Sequence, residues 1–207
     1  AAGGAAWVWS VSPGGFHTRI DLYTGTTDYN MIYFEDTVTS TAMNPDNTLV
    51  AIGTTENTIL LYSLEQGKTL ATLSGHISPV VKMTFSPDGT QLASVGDDGE
   101  IILWDVANRK AVASTYQFSG AIRGFTRRVD GLILAWSDHT VWLFHPEDLK
   151  LERVTFIPDG RVLAASPDLD LVAAYADLKV SLYDAISGVH IRTFPDEAED
   201  PWVEYYY

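Results

Sequence analysis

Residues 70–113, LATLSGHISPVVKMTFSPDGTQLASVGDDGEIILWDVANRKAVA, decide the fold. Together with Lys68 and Thr69 in front they hold four short apolar runs: KTLATL, VVKMTFS, QLASVG and EIILWDV. SGHISP, PDG and DDG separate the runs, and ANRK follows the last. Each run is too short for a stable helix, while β-branched and aromatic residues at alternate positions fit strands. In the turns, Pro fixes φ and Gly accepts positive φ. Four strands joined by such turns make an antiparallel meander. Gly75-His76 opens this unit and Trp104-Asp105 closes it, 28 residues further on.

The closing strand recurs along the whole chain, as TRIDLYT (18–24), NTILLYS (57–63), HTVWLFH (139–145) and KVSLYDA (179–185). Its aromatics align as Tyr23, Tyr62, Trp104, Phe144 and Tyr183, spaced by 39, 42, 40 and 39 residues. The turn after the first strand recurs as Asn44-Pro45-Asp46-Asn47, Ser86-Pro87-Asp88-Gly89, Val129-Asp130-Gly131 and Ser166-Pro167-Asp168. Second strands (TLVAIG, QLASVG, LILAWS, LVAAYA) and outer strands (NMIYF, TLATL, AVASTYQF, LERVTF, VHIRTF) follow the same beat. Four strands of about six residues plus four short turns come to roughly 40 residues, which accounts for the period. The strands are apolar on both faces, as Ile101-Ile102-Leu103-Trp104 shows, so each sheet must be covered on both sides. Radial stacking of sheets does this. A parallel α/β sheet is the competitor, but no amphipathic helical stretch connects the strands.

The Gly75-His76 and Trp104-Asp105 pairs, the internal period and the four-strand unit together resemble the WD40 repeat. The fold class expected is therefore all-β, a β-propeller of four-stranded antiparallel blades. About five blades are expected in one domain spanning 1–207. Residues 1–35 are a partial blade in which AWVWSV and FHTRIDLY are the second and third strands. Blades follow at 36–74, 75–118, 119–158 and 159–195, and 196–207 combine an acidic loop with a further strand, WVEYYY. A closed five-bladed ring and part of a seven-bladed ring both stay open. The missing initial Met and abrupt ends favour the partial ring.

In this family one His, one Ser or Thr, one Asp and one Trp form a hydrogen-bonded set across a blade. By resemblance these are His76, Ser94, Asp98 and Trp104, with a His–Asp bond fixing the loop. Other blades depart from the pattern: Asp138 and Asp177 keep the turn carboxylate, Leu134 and Ala173 replace the serine, and Glu56 takes the carboxylate position beside Tyr62. The resemblance also implies a partner-binding rim, made by the loops entering first strands and the turns between second and third. Projected here, the rim carries Asp97, Phe118, Arg123, Ser137, Arg161 and Ala176. Arg123 and Arg161 stand out, because an apolar inner strand has no local use for a cation. The alternative is an ordinary salt bridge to a nearby carboxylate. The alignment around Thr126-Arg127-Arg128 leaves Arg123 free to shift by two residues.

Composition narrows the function classes. Thirteen basic against 27 acidic residues give a net charge of −14, which repels phosphate backbones, so no direct nucleic-acid binding is expected. The absence of Cys excludes disulfides and thiolate metal sites. No stretch reads as a membrane span, and the compartment stays open with a cytoplasmic preference. A Ser-His-Asp triad has no oxyanion hole to serve. Ser137-Asp138-His139 reads as a solvated turn, and His145-Pro146-Glu147-Asp148 lacks partner ligands. Asp159, Asp168 and Asp170 lack the EF-hand spacing that calcium would need. No catalytic residue, cofactor or metal is expected. The leading expectation is a non-catalytic interaction scaffold with protein partners in a multi-subunit assembly. Recognition of a basic peptide by an acidic rim comes second, and a propeller enzyme third.

Overall fold

The structure, a computed structural model, describes residues 38–116 and 122–194 apart from 159, 167 and 169, together with the backbone of two strands within 5–21. The chain divides into two compact units, 1–119 and 120–207. Among the described residues every element is a strand.

The first unit opens with a two-stranded pair, β1 (Ala5–Trp9) and β2 (Phe16–Asp21). Two four-stranded antiparallel sheets follow. One is ordered β3 (Val38–Met43), β4 (Leu49–Thr54), β5 (Thr58–Ser63), β6 (Lys68–Ser74). The other runs β7 (Val80–Phe85), β8 (Gln91–Gly96), β9 (Glu100–Asp105), β10 (Lys110–Tyr116). The second unit holds two more: β11 (Gly124–Arg127), β12 (Ile133–Trp136), β13 (Thr140–Phe144), β14 (Leu151–Phe156), then β15 (Arg161–Ala165), β16 (Leu171–Ala176), β17 (Lys179–Asp184), β18 (His190–Phe194). The fold class is all-β, built of four-stranded antiparallel blades. The stretches 30–34, 117–121 and 202–207, expected to carry strands, lie outside the described residues.

Local chemistry explains why the blades repeat. In each turn after the first strand one carboxylate accepts the backbone N–H two residues on: Asp46 from Thr48, Asp88 from Thr90, Asp130 from Leu132 and Asp168 from Asp170. Such Asx turns reverse the chain without help from tertiary contacts. The left-handed position that follows is taken by Asn47, Gly89 and Gly131 in the first three blades. At the aromatic that ends the third strand, the pairing with the outer strand slips by one residue in all four blades. These bulges twist each outer strand away from the sheet plane.

The core lies between blades. In the first unit Ala51, Ile59 and Leu61 of one blade pack against Leu92, Ile102 and Trp104 of the next. Val50, Ile52, Leu60 and Tyr62 bury the opposite face of the first blade. In the second unit Leu134, Trp136 and Val141 pack against Val172, Ala174 and Tyr183. The four aromatics occupy one structural position: Tyr62, Trp104, Phe144 and Tyr183 pair across the sheet with Val50, Leu92, Ile133 and Val172. All four are buried. An inner strand buried on both faces needs this arrangement, because polar residues could alternate only if one face met water.

Candidate functional site

The loop 75–79 enters β7 and carries His76 over the face of β8 and β9. Ser94 lies in the middle of β8 and Trp104 near the end of β9. The His76 Nε2 is 2.7 Å from the Ser94 Oγ, and the Trp104 Nε1–H donates to the same oxygen at 2.8 Å. The hydroxyl has one proton, and its other acceptor, the Ile102 carbonyl, stands at 3.4 Å. The short bond to Nε2 is therefore the one the hydroxyl donates. This assigns His76 the neutral tautomer with its proton on Nδ1, facing the Glu100 carboxylate 3.8 Å away. Burial pushes the His76 imidazole down to about 4, and the Asp98 carboxylate only partly opposes it. Glu100 is itself buried.

Asp98 stands apart from the hydrogen-bonded trio. It accepts from the Ser78 hydroxyl at 2.8 Å and from the Glu100 backbone N–H at 3.1 Å, and no hydrogen bond joins it to His76. The expected His–Asp bond is replaced by a Ser78–Asp98 clasp, with the Ser78 Oγ also accepting the Asp98 N–H at 3.2 Å. Gly96 makes the approach possible: a Cβ there would sit 2.5 Å from both the Asp98 Oδ1 and the Ser78 Oγ. Register also corrects the serine counterparts. Ser94 lies two residues beyond Leu92, which pairs with Trp104. The residues two beyond Ile133 and Val172 are Ala135 and Ala174, one position on from Leu134 and Ala173. Those blades put a methyl group where the first unit has its buried hydroxyl.

In the second unit the turn between β12 and β13 carries Asp138, and two guanidinium groups converge on it. Arg123, just before β11, donates from Nε at 2.9 Å and from Nη2 at 3.2 Å. Arg161, the first residue of β15, places its Nε 2.7 Å from the same Oδ1. The Arg123 bonds hold the Asp138 carboxyl below its usual range, with Arg161 adding to them. Backbone bonds fix the frame, from Arg123 N to the Trp136 carbonyl and from Val162 N to the Asp138 carbonyl. Arg123 thus sits at the entrance to the first strand. Both arginines form the salt bridge that was the alternative to a free rim cation.

Of the remaining rim residues, Asp97 is exposed with its N–H bonded to the Pro79 carbonyl, Ser137 is half-buried and Ala176 lies at the end of β16. Phe118 lies outside the described residues, as does Asp159. His145 faces Glu152 at 3.9 Å. Asp168 is held by the Ser166 hydroxyl and the Asp170 N–H. Among the described residues no group of three or more His, Cys, Asp or Glu could hold a metal ion, and no helix is long and apolar enough to cross a membrane. Ser78, buried Glu100 and the shared role of Asp138 were missed from sequence. The signal for Asp138 was there, since it stands six residues before Phe144 as Asp98 stands before Trp104.

A chain of four-stranded blades, each closed by a buried aromatic, with a polar set under one loop and charged turns at the strand ends, is a repeat protein of the propeller-blade class. The profile of the WD domain, G-beta repeat, matches residues 67–105, so that stretch carries a WD40 repeat. It is similar to pre-mRNA-processing factor 19 of Oryza sativa subsp. japonica, 33% identical over 168 residues, covering 78% of this chain and 31% of that protein. It is similar to the transcriptional corepressor LEUNIG_HOMOLOG of Arabidopsis thaliana, 29% identical over 157 residues, 73% of this chain and 20% of that one. Nuclear distribution protein PAC1 of Arthroderma otae is 29% identical over 170 residues, 81% of this chain and 30% of that one. The chain therefore spans between a fifth and a third of the length of these curated relatives.

Proposed function

We propose that this chain is a non-catalytic interaction scaffold that works as a subunit of a larger assembly. The observation carrying this reading is how its polar residues are used. In the first unit the His76–Ser94–Trp104 set is buried and joined through the Ser94 hydroxyl, which suits it to holding a loop in place rather than to chemistry. The charged side chains at Asp97, Asp98, Arg123, Asp138 and Arg161 stand instead on turns at strand ends, where a partner can reach them. Relatives named as a corepressor and a pre-mRNA-processing factor support a role in assemblies. The test is native purification of the tagged protein from its source cells, with mass determination of the intact particle and reciprocal capture through each companion. Defined companions in fixed stoichiometry are expected. A particle of one chain's mass, with no companion that captures it in return, would overturn the reading.

A second reading, recognition of a basic peptide by an acidic rim, is favoured by Glu56, Asp97 and Asp98, all exposed on second-to-third-strand turns of the first unit. Titration with a lysine-rich peptide at low and high salt tests it: binding that fades with salt supports it, and absent or salt-insensitive binding rejects it.

A further inference from the structure

We infer that the rim of the second unit docks an acidic peptide segment of a partner, with Arg123 and Arg161 holding a carboxylate and Leu178 an adjacent apolar residue. The inference deepens the scaffold reading above and rests on it. Two independent observations meet here.

The first is charge. Arg123 and Arg161 converge on one carboxylate oxygen, so Asp138 offsets one of two neighbouring positive charges. Arg161 places its Nε on that contact, and 52% of its side chain is exposed. A guanidinium edge of this kind takes a carboxylate through two parallel hydrogen bonds. In a protein of net charge −14, two guanidinium groups meeting at one turn are a local concentration of positive charge. It selects acidic groups against the background field.

The second is strain. The turn from β16 to β17 consists of Asp177 and Leu178, with φ values of 48° and 63°. Five residues before the blade aromatic, the first unit has Asn57 at φ 63° and Gly99 at φ 86°, the residue types that tolerate the left-handed region. Leu178 holds the same place and is 86% exposed. It is disfavoured both by its backbone and by its apolar side chain in water. Strain of this kind gathers where a surface is used. Register puts it on the same rim: Arg161 pairs with Tyr175, three residues before Leu178. Among the described residues the carboxylates placed on this rim are Asp138, already engaged, and Asp177.

The experiment is fluorescence anisotropy on the full chain with three labelled peptides that alternate leucine with glutamate, glutamine or lysine. Glutamate–leucine peptide is expected to bind, and to weaken as salt rises. The double variant Arg123→Glu/Arg161→Glu should weaken it at least about tenfold. Because that variant also disturbs Asp138, Leu178→Asn is the second probe. Asparagine relieves the left-handed turn, so the melting temperature should hold or rise while affinity for the peptide falls roughly two- to fivefold, as for a single exposed contact. Equal binding of the glutamine–leucine peptide, preference for the lysine–leucine peptide, no binding at all, or an unchanged affinity in Leu178→Asn each overturns the inference. If the native assembly still forms in any of those cases, the scaffold role stands and only this docking site falls.

Discussion

The Ser94 hydroxyl serves two buried nitrogens at once, accepting from the Trp104 indole and donating to the His76 imidazole. Removing it leaves both without a partner in a dry site, and each orphaned buried group costs about 1–3 kcal/mol. Ser94→Ala should therefore lower the unfolding free energy by about 2–4 kcal/mol in urea melts, far more than its lost volume accounts for. A loss under about 1 kcal/mol would show that the trio does not hold the loop. His76 sets an acid limit. It is neutral in the fold down to about pH 4 but protonates near 6.5 once unfolded, so between those values the unfolded chain binds the extra proton. Stability should be flat in this respect above pH 6.5 and fall with decreasing pH through that window, by up to about 1.4 kcal/mol per unit. Replacing His76 with Gln should flatten that part of the profile, and an unaltered slope would assign it to other groups. Asp98, Glu100 and Tyr116 face this cluster, so the comparison belongs between variants at each pH. The trio's residue types were legible through the resemblance of this one blade to the WD40 repeat. The partner of Asp98 was not, because Ser78 and Asp98 come together only when two loops fold toward Gly96.

At the scale of a strand or turn, close packing leaves little tolerance. Gly124 in β11 lies opposite Trp136 in β12, and a Cβ on Gly124 would run into the indole ring. The tryptophan covers the glycine, and any side chain must push it out of a core it shares with Tyr183. Gly124→Ala should cost about 3 kcal/mol, at the upper end for overpacking, with a red-shifted tryptophan emission. Unchanged emission and stability would mean that the pair is not packed this way. The turns were readable from local composition, since Pro, Asp and Gly act within four residues. The bulges were not: an extra residue such as Val112 or Ile191 leaves no mark in a pattern of period two. Placing the serine counterparts one residue early has the same root, because a slip of one reverses which face a side chain occupies.

On the scale of the whole molecule, charge acts on every element together. Twenty-seven carboxylates against 13 cations repel one another, and that repulsion weakens as ions screen it. The melting temperature should rise as ionic strength increases from about 0.01 M to about 0.15 M, where the Debye length shrinks from about 30 to about 8 Å. A fall would show that pairs such as Arg123–Asp138 and Arg128–Asp130 outweigh the general repulsion. The period of about 40 residues, its closing aromatics and its turn signals are written in the sequence, and they determined the all-β, four-stranded blades found among the described residues. These signals are local, so each blade announces itself. What only the tertiary structure decided is which side chains meet: His76 with Ser94 rather than Asp98, and two arginines on Asp138. Those meetings depend on loops that lie far apart in sequence, and on bulges that set which way each strand faces, and no local pattern encodes either.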